Sequence, residues 1–319
     1  MNQKKDRREF IRSVSTAVIG VGIADGMFSA VPDGYGAEEK ARVAVVRNER
    51  AISTRNVCDK KQVASMLEKG LLDITDKLNI KDAWTALGIT KDDVIGIKVN
   101  CNSWTFLLST HPELVYSLCE SLSVCVPLHN IIIYERYTGE LARAGYQANK
   151  NTSGIRCFGT DDANGFHPQE GLTRIVTDMC TKIINIPSLK TVEGEFGGSL
   201  FLKNHIGSIS PGQMTRCHGN AEFCTIVCAQ PSLKSKTVLA VCDGLRGTYK
   251  SGVPWYWSGI IMSRDQIAAE YTALQVINEK RMQEKERLLQ IPSYVKMAET
   301  SYGLGTCNPA HIDLIRSVL

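Results

Sequence analysis

The sequence predicts an α/β fold: a largely parallel central sheet flanked by helices, with long functional loops. Three observations predict it. Short apolar runs alternate along the chain with segments of helical periodicity. The runs at 131–133 and 183–186 are near-continuously apolar, as strands covered on both faces are. The stretches 147–171 and 187–235 are rich in Gly, Asn, Ser and Thr, the composition of long loops that carry function.

Each element follows from its own residues. Residues 42–46 (RVAVV) read as a first buried strand. In 60–78, Val63, Met66, Leu67, Leu71, Leu72 and Ile74 repeat at helical spacing. A strand at 94–99 follows, and Pro112 suits the first turn of a helix over 111–124. Strands are expected at 130–134, 182–187, 236–242 and 258–262, with a short helix at 138–146. A long helix over 265–289, charged in its second half, precedes a last helix at 292–302 and an edge strand at 312–319.

Composition bounds the rest. With 319 residues, 43% hydrophobic and 22% charged, the chain is neither collagen, nor a coiled-coil rod, nor disordered. Its length suits one α/β domain over 38–319, or two lobes. The net charge of +4, from 37 basic and 33 acidic residues, is too small and too mixed to suggest nucleic-acid binding.

The N-terminus places Arg7 and Arg8 side by side, then Phe10, Ile11 and Arg12, then a weakly apolar run over 14–24. This pattern, over 1–37, resembles a twin-arginine export signal. The resemblance implies the twin-arginine export machinery as a partner, export in the folded state and a periplasmic or other extracytoplasmic destination. The run is too short and glycine-rich for a stable membrane helix, and no other stretch reaches that length, so no stable membrane span is expected in the mature chain.

In folds of this class ligands sit beyond the carboxyl ends of strands. Lys98 interrupts an apolar strand and is followed by Asn100 and His111. A buried lysine is costly unless it is paired or points into a polar cleft. Glu135 and Arg136 follow the strand at 130–134, Lys190 follows 182–187, and Cys242, Asp243 and Arg246 follow the strand near 241. The competing account of Lys98, Glu135 and Arg136 is structural ion pairing and loop capping. The richest stretch carries Gly197, Gly198, Lys203, Asn204 and His205. A lysine there can act as base, anion ligand or covalent anchor, and a neutral histidine as proton shuttle or metal ligand. The catalytic candidates are Lys203, His205 and His111. The substrate-binding candidates are Lys98, Asn100, Lys190, Asn204 and Arg136.

The segments GIKVN (96–100), THPEL (110–114), IIIYER (131–136), INIPSLK (184–190), LKNHIGS (202–208) and CDGLRG (242–247) closely resemble one bacterial and archaeal family, catalogued as domain of unknown function number three-six-two. The resemblance runs in order through most of 42–318, and family members often carry twin-arginine signals. Some members are associated with ferredoxin-like modules, whose Cys-x-x-Cys-x-x-Cys run this chain lacks. The arrangement of Phe196, Gly197, Gly198, Lys203 and His205 is faintly similar to the nickel-pincer lactate racemase family, with different spacing. That similarity implies a metal-dependent isomerase or racemase.

Eleven cysteines is an odd and high number. Cys217, His218, Cys224 and Cys228 are candidate ligands of a transition metal or an iron–sulfur cluster, although their spacing matches no standard finger or ferredoxin. Disulfides and plain packing are the alternatives. Cys101 and Cys242 follow strands and are further site candidates.

The functional expectation is an exported enzyme with an anion-binding Lys/His cleft, taking a small anionic ligand and holding a metal or cluster. The alternative is a non-catalytic metal or iron–sulfur carrier, or an oxidoreductase-associated electron-transfer partner of a respiratory complex. A third is an anion-binding module without chemistry.

Overall fold

Alternation of apolar side chains gives a strand two usable faces, and here both are covered. The computed structural model describes residues 40–101, 108–192 and 194–319; the pattern read as an export signal over 1–37 lies outside them. The strands are β1 (Ala41–Arg47), β2 (Ile95–Val99), β3 (Ile131–Tyr134), β4 (Arg156–Cys157), β5 (Lys182–Ile186), β6 (Thr191–Val192), β7 (Gly197–Gly198), β8 (Thr237–Gly244), β9 (Gly247–Lys250), β10 (Val253–Trp255), β11 (Gly259–Ser263) and β12 (Ile312–Val318). Eight form one mostly parallel sheet in the order β12-β1-β11-β8-β5-β2-β3-β4. Its one reversed strand is β11, antiparallel to both β1 and β8. The fold is therefore the α/β sheet the sequence predicts.

The helices are α1 (Lys60–Thr75), α2 (Ile80–Ala86), α3 (Pro112–Leu122), α4 (Thr138–Arg143), α5 (Phe201–Asn204), α6 (Pro211–Met214), α7 (Glu222–Cys228), α8 (Pro231–Lys236), α9 (Gln266–Gln283) and α10 (Ser293–Thr300). The Asp59 carboxylate caps α1 by accepting from the Lys61 and Gln62 backbone amides, and Asp265 caps α9 in the same way. Val63, Met66, Leu67, Gly70, Leu71 and Ile74 form the buried stripe of α1. Each large apolar side chain removed from water in this way contributes about 1.5–3 kcal/mol.

The strands sort their side chains by parity. Ile95, Ile97 and Val99 join one core with Val63, Leu67, Leu114 and Leu118. Ile132, Tyr134 and Ile183 face a second core with Leu202, Ile267 and Tyr294, while Ala240, Cys242 and Ile261 pack against Phe201, Ala273 and Leu274. Lys98 and Asn185, partners in the β2–β5 register, necessarily share a face with Tyr134, the partner of Lys98 on β3.

Some details depart from the periodicity. The segment 187–235, which its composition marks as loop, is built from two short strands and a run of short helices. The helix expected over 265–289 ends at Gln283, because the charged residues beyond it have no apolar face to bury and Lys285 takes φ +57°. The β6–β7 and β9–β10 pairs are too short to show any alternation. Among the described residues, no helix is long and apolar enough to cross a membrane.

Candidate functional site

The site begins with a lysine that the sheet forces inward. Lys98 is fully buried, and its ammonium donates to the Glu135 carboxylate (2.7 Å), to the Val99 carbonyl (2.7 Å) and to Asn204 Oδ1 (3.4 Å). The register that sets Lys98 beside Tyr134 puts Glu135 one step beyond the end of β3, within reach. A buried charge survives only with such partners. Gly207 lies against this pair: a Cβ there would collide with the Glu135 carboxylate and crowd the Lys98 ammonium.

Above the pair is an amide network. Asn204, on α5, donates to Asn185 Oδ1 (2.8 Å) and to the Lys98 carbonyl (3.3 Å), and accepts from Asn100 Nδ2 (3.1 Å). Asn100 Oδ1 in turn accepts from the Lys190 ammonium. Asn185 also donates to the Phe201 carbonyl (3.0 Å), which fixes the start of α5. Residues separated by a hundred positions in the chain are thus locked into one hydrogen-bonded patch beyond the carboxyl ends of β2, β3 and β5.

This patch floors a cleft of about 400 Å³, whose walls include Lys190, Lys203, Glu135, Arg136, Ser199 and Cys217. Burial, opposed by the Glu135 charge, holds the Lys190 ammonium down to about 8. The Lys203 ammonium lies 3.8 Å from the centre of the Phe196 ring. Arg136 is in the wall but is forked onto Glu140 (Nε to Oε2, 2.8 Å), so its charge is already matched. For Lys98, Glu135 and Arg136, ion pairing is part of what the structure shows.

The sequence candidates do not all converge. Asn100, Lys190, Lys203 and Asn204 line the cleft, and Lys98 lies directly beneath it through Glu135 and Asn204. His205 is fully buried, with Nδ1 3.3 Å from Ser208 Oγ and, among the described residues, no hydrogen-bond partner for Nε2. Burial, aided by the Lys98 charge, lowers it to about 3, so it is a neutral imidazole. His111 is not a wall residue of this cleft. Its ring pairs with Asp243 (Nδ1 to Oδ2, 2.8 Å) and its backbone amide donates to the same oxygen (2.6 Å). The parity of β8 puts Asp243 on the face of Val241 and Leu239, opposite that of Lys98.

The cysteines are all free thiols. Cys217 and His218 are in the cleft wall. The neighbouring Cys224 thiol holds the Cys217 thiol below the ordinary thiol range, against the effect of burial and aided by the His218 and Lys203 charges. Cys228 instead donates to the Leu202 carbonyl (3.4 Å). Among the described residues, no three His, Cys, Asp or Glu side chains are arranged to hold a metal ion, so the geometry does not gather Cys217, His218, Cys224 and Cys228 into a ligand set. The helical spacing that puts Cys224 and Cys228 on one face of α7 leaves them with different partners. Cys101 and Cys242 are buried in the two cores.

Sequence reasoning missed Asn185 and Glu270. Asn185 is the one polar residue inside an apolar strand, the same signal that marks Lys98. Glu270 is fully buried on α9, accepting from the Leu202 amide (3.0 Å) and from Tyr294 (3.3 Å). Its signal is a lone carboxylate in the apolar start of that helix. Burial pushes it up to about 7.

A family model described as a domain of unknown function, DUF362, matches residues 95–275. The chain belongs to the DUF362 family. The match begins at β2 and ends within α9, so it takes in Lys98, Lys190, Lys203 and the whole hydrogen-bonded floor of the cleft. No curated protein matches the chain, and no solved structure does. In this DUF362 chain the strands outside the match, β1 and β12, extend the sheet on the side away from the cleft.

Proposed function

We propose that this chain is an enzyme acting on a small organic anion, with Lys190 and Lys203 holding the anion and Lys190 exchanging a proton with it. The observation that carries the reading is a buried lysine in the cleft wall, Lys190, whose ammonium meets the uncharged Asn100 side chain. Among the described wall residues Lys203 brings a second cation, Arg136 is matched by Glu140, and Glu135 is held by the buried Lys98. A buried ammonium beside a neutral partner favours a carboxylate or phosphate as its counter-ion. An ammonium poised near 8 gives up and regains a proton at modest cost around neutral pH. His205, buried beneath the floor, orders the Ser208 and Tyr134 hydroxyls rather than meeting substrate.

The test is a panel of small carboxylic acids incubated with the protein in D2O and followed by proton NMR. Exchange of the hydrogen beside the carboxylate is expected with at least one of them. Lys190→Met should abolish it even at anion concentrations that offset its weakened binding, and Lys203→Met should weaken binding while leaving exchange at saturating anion. No binding and no exchange across the panel, or exchange unaltered by Lys190→Met, would reject the reading.

The pattern over 1–37 supports action outside the cytoplasmic membrane after export of the folded chain. Fusion of those residues to a reporter that needs the twin-arginine route, compared with the same fusion carrying Arg7→Lys and Arg8→Lys, tests this. The second reading, a metal or iron–sulfur carrier, rests on the proximity of Cys217 and His218 at the cleft wall. Metal analysis and an absorption spectrum of anaerobically purified protein decide against it if both are blank.

A further inference from the structure

We infer that His111 and Arg246 form a second anion site, shaped for a carboxylate, whose place the Asn56 carboxamide takes in this structure. None of the three lines the cleft, and the inference does not depend on the proton-transfer reading. Hydrogen-bond and charge counting carry it. His111 and Arg246 are each 6% exposed. Arg246 Nη1 donates to Asn56 Oδ1 (3.4 Å), and His111 Nε2 lies 3.3 Å from the same oxygen. A guanidinium only donates, so the Asn56 atom it meets is the amide oxygen, and His111 Nε2 must donate to that oxygen as well. On the other side of the ring, Nδ1 faces the Asp243 carboxylate at 2.8 Å, again an acceptor. Both ring nitrogens therefore carry hydrogen, and the imidazole is a cation.

Two buried cations thus stand against one carboxylate. Asp243 is committed to His111 Nδ1, the His111 amide and the Leu245 amide (3.1 Å). Glu113, in the first turn of α3, acts on His111 only through space. Among the described residues Arg246 has no ion pair, and its Nε has no hydrogen-bond partner; its guanidinium carbon lies 5.7 Å from the centre of the Tyr256 ring. A buried guanidinium held by a neutral oxygen leaves the site one negative charge short. A carboxamide has nearly the shape of a carboxylate, so exchanging one for the other keeps both hydrogen bonds and makes them charge-assisted. Access is through the turn that carries Asn56. Ser53, Thr54 and Arg55 are exposed, Val57 is 65% exposed, and Asn56 is half-buried. That turn is closed by its own backbone, the Asn56 amide donating to the Ser53 carbonyl and the Ser53 amide to the Val57 carbonyl (both 2.9 Å). Rotation of the Asn56 side chain outward therefore opens the two cations to solvent without moving either.

The experiment titrates the full chain with acetate, and with acetamide as its neutral counterpart, at pH 6.5 while the histidine ring signals are followed by NMR. Acetate should move the His111 Hε1 signal saturably in the unsubstituted chain. Asn56 has φ +60°, a conformation glycine adopts freely, so Asn56→Gly should fold and vacate the place of the carboxamide. In that variant acetate should bind about tenfold or more tighter than in the unsubstituted chain, and about tenfold or more tighter than acetamide. Asn56→Asp supplies the missing charge from within: the His111 signal should no longer respond to acetate, and the urea midpoint should rise. Arg246→Met should lose the acetate response; should it fail to fold, the two Asn56 variants, on an exposed turn, decide. The inference is overturned if acetate leaves the His111 signal of the unsubstituted chain unmoved, if acetamide matches acetate in Asn56→Gly, if folded Arg246→Met still binds, or if Asn56→Asp fails to raise the midpoint. His218, in the cleft wall, reports the other site. A shift of His218 alone supports the cleft and overturns this site, whereas a shift of His111 alone supports this site and counts against an anion-binding cleft.

Discussion

Lys98 and Glu135 form an ion pair of 2.7 Å in which the lysine side chain is 0% and the glutamate side chain 2% exposed. Each supplies the opposite charge that lets the other tolerate burial. Lys98→Met should therefore lower stability by about 3–5 kcal/mol, since it leaves a buried carboxylate uncompensated. Lys98→Met with Glu135→Leu should cost less than either single change, and urea unfolding of the three variants measures the difference.

Gly207 touches that same pair. Gly207→Ala places a methyl group against the Glu135 carboxylate and the Lys98 ammonium, neither of which can retreat without losing its partner. A loss of about 1–3 kcal/mol is expected. A control, Gly212→Ala, meets nothing nearby and should be close to neutral in the same unfolding assay.

Glu270 sets a pH dependence of stability. Its folded value, raised by burial to about 7 from 4.5, means that the native state binds the proton more tightly than the unfolded chain. The protein is then most stable below the unfolded value and loses stability as pH rises from about 4.5 through 7. The full shift corresponds to on the order of 3 kcal/mol. Glu270→Gln keeps an acceptor for the Leu202 amide and should flatten that decline, raising stability at pH 8 relative to the unsubstituted chain.

His111 should show a pH dependence with the charged form on the acid side. Burial lowers its value, but the Asp243 carboxylate, through its charge and its hydrogen bond, raises it by more. The stabilisation is complete below the unfolded histidine value and disappears as pH rises through the elevated folded value. Asp243→Asn should therefore cost more stability at pH 5.5 than at pH 9, as denaturant melts at the two pH values will register.

Lys190 makes anion binding pH-dependent at a lower pH than an ordinary surface lysine would. Because its ammonium is lost near 8, affinity for a small carboxylate should fall as pH passes through that value. In Lys190→Met the inflection should vanish and affinity should be uniformly weak, which calorimetric titration across pH 6.5–9.5 will test.

Much of the fold was legible because local physics governs it. Apolar runs bounded by turn residues gave β2, β3, β5 and β8, and the α1 stripe follows from a 3.6-residue period alone. Lys98 stood out as a charge inside such a run. The convergence of Lys98, Asn100, Lys190, Lys203 and Asn204 could be expected because all follow or interrupt strands whose carboxyl ends share an edge. His111 satisfies the same rule and yet belongs elsewhere, since it meets Asp243 from the other face of the sheet. Cys217 and Cys224 could be noticed as a soft-ligand group, but that Cys217 joins the cleft wall while Cys224 does not depends on how one short turn packs against α7.

The sequence by itself determined the order of strands and helices, the fully apolar character of the central strands and the identity of the polar residues at their ends, because each is settled by neighbours a few positions away. Tertiary structure alone decided the register that sets Lys98 between Tyr134 and Asn185, the face on which each polar group emerges, and the seating of the Cys228 thiol on the Leu202 carbonyl. A one-residue slip along a strand turns every side chain over, and only the packing of distant segments selects the slip that buries the apolar set.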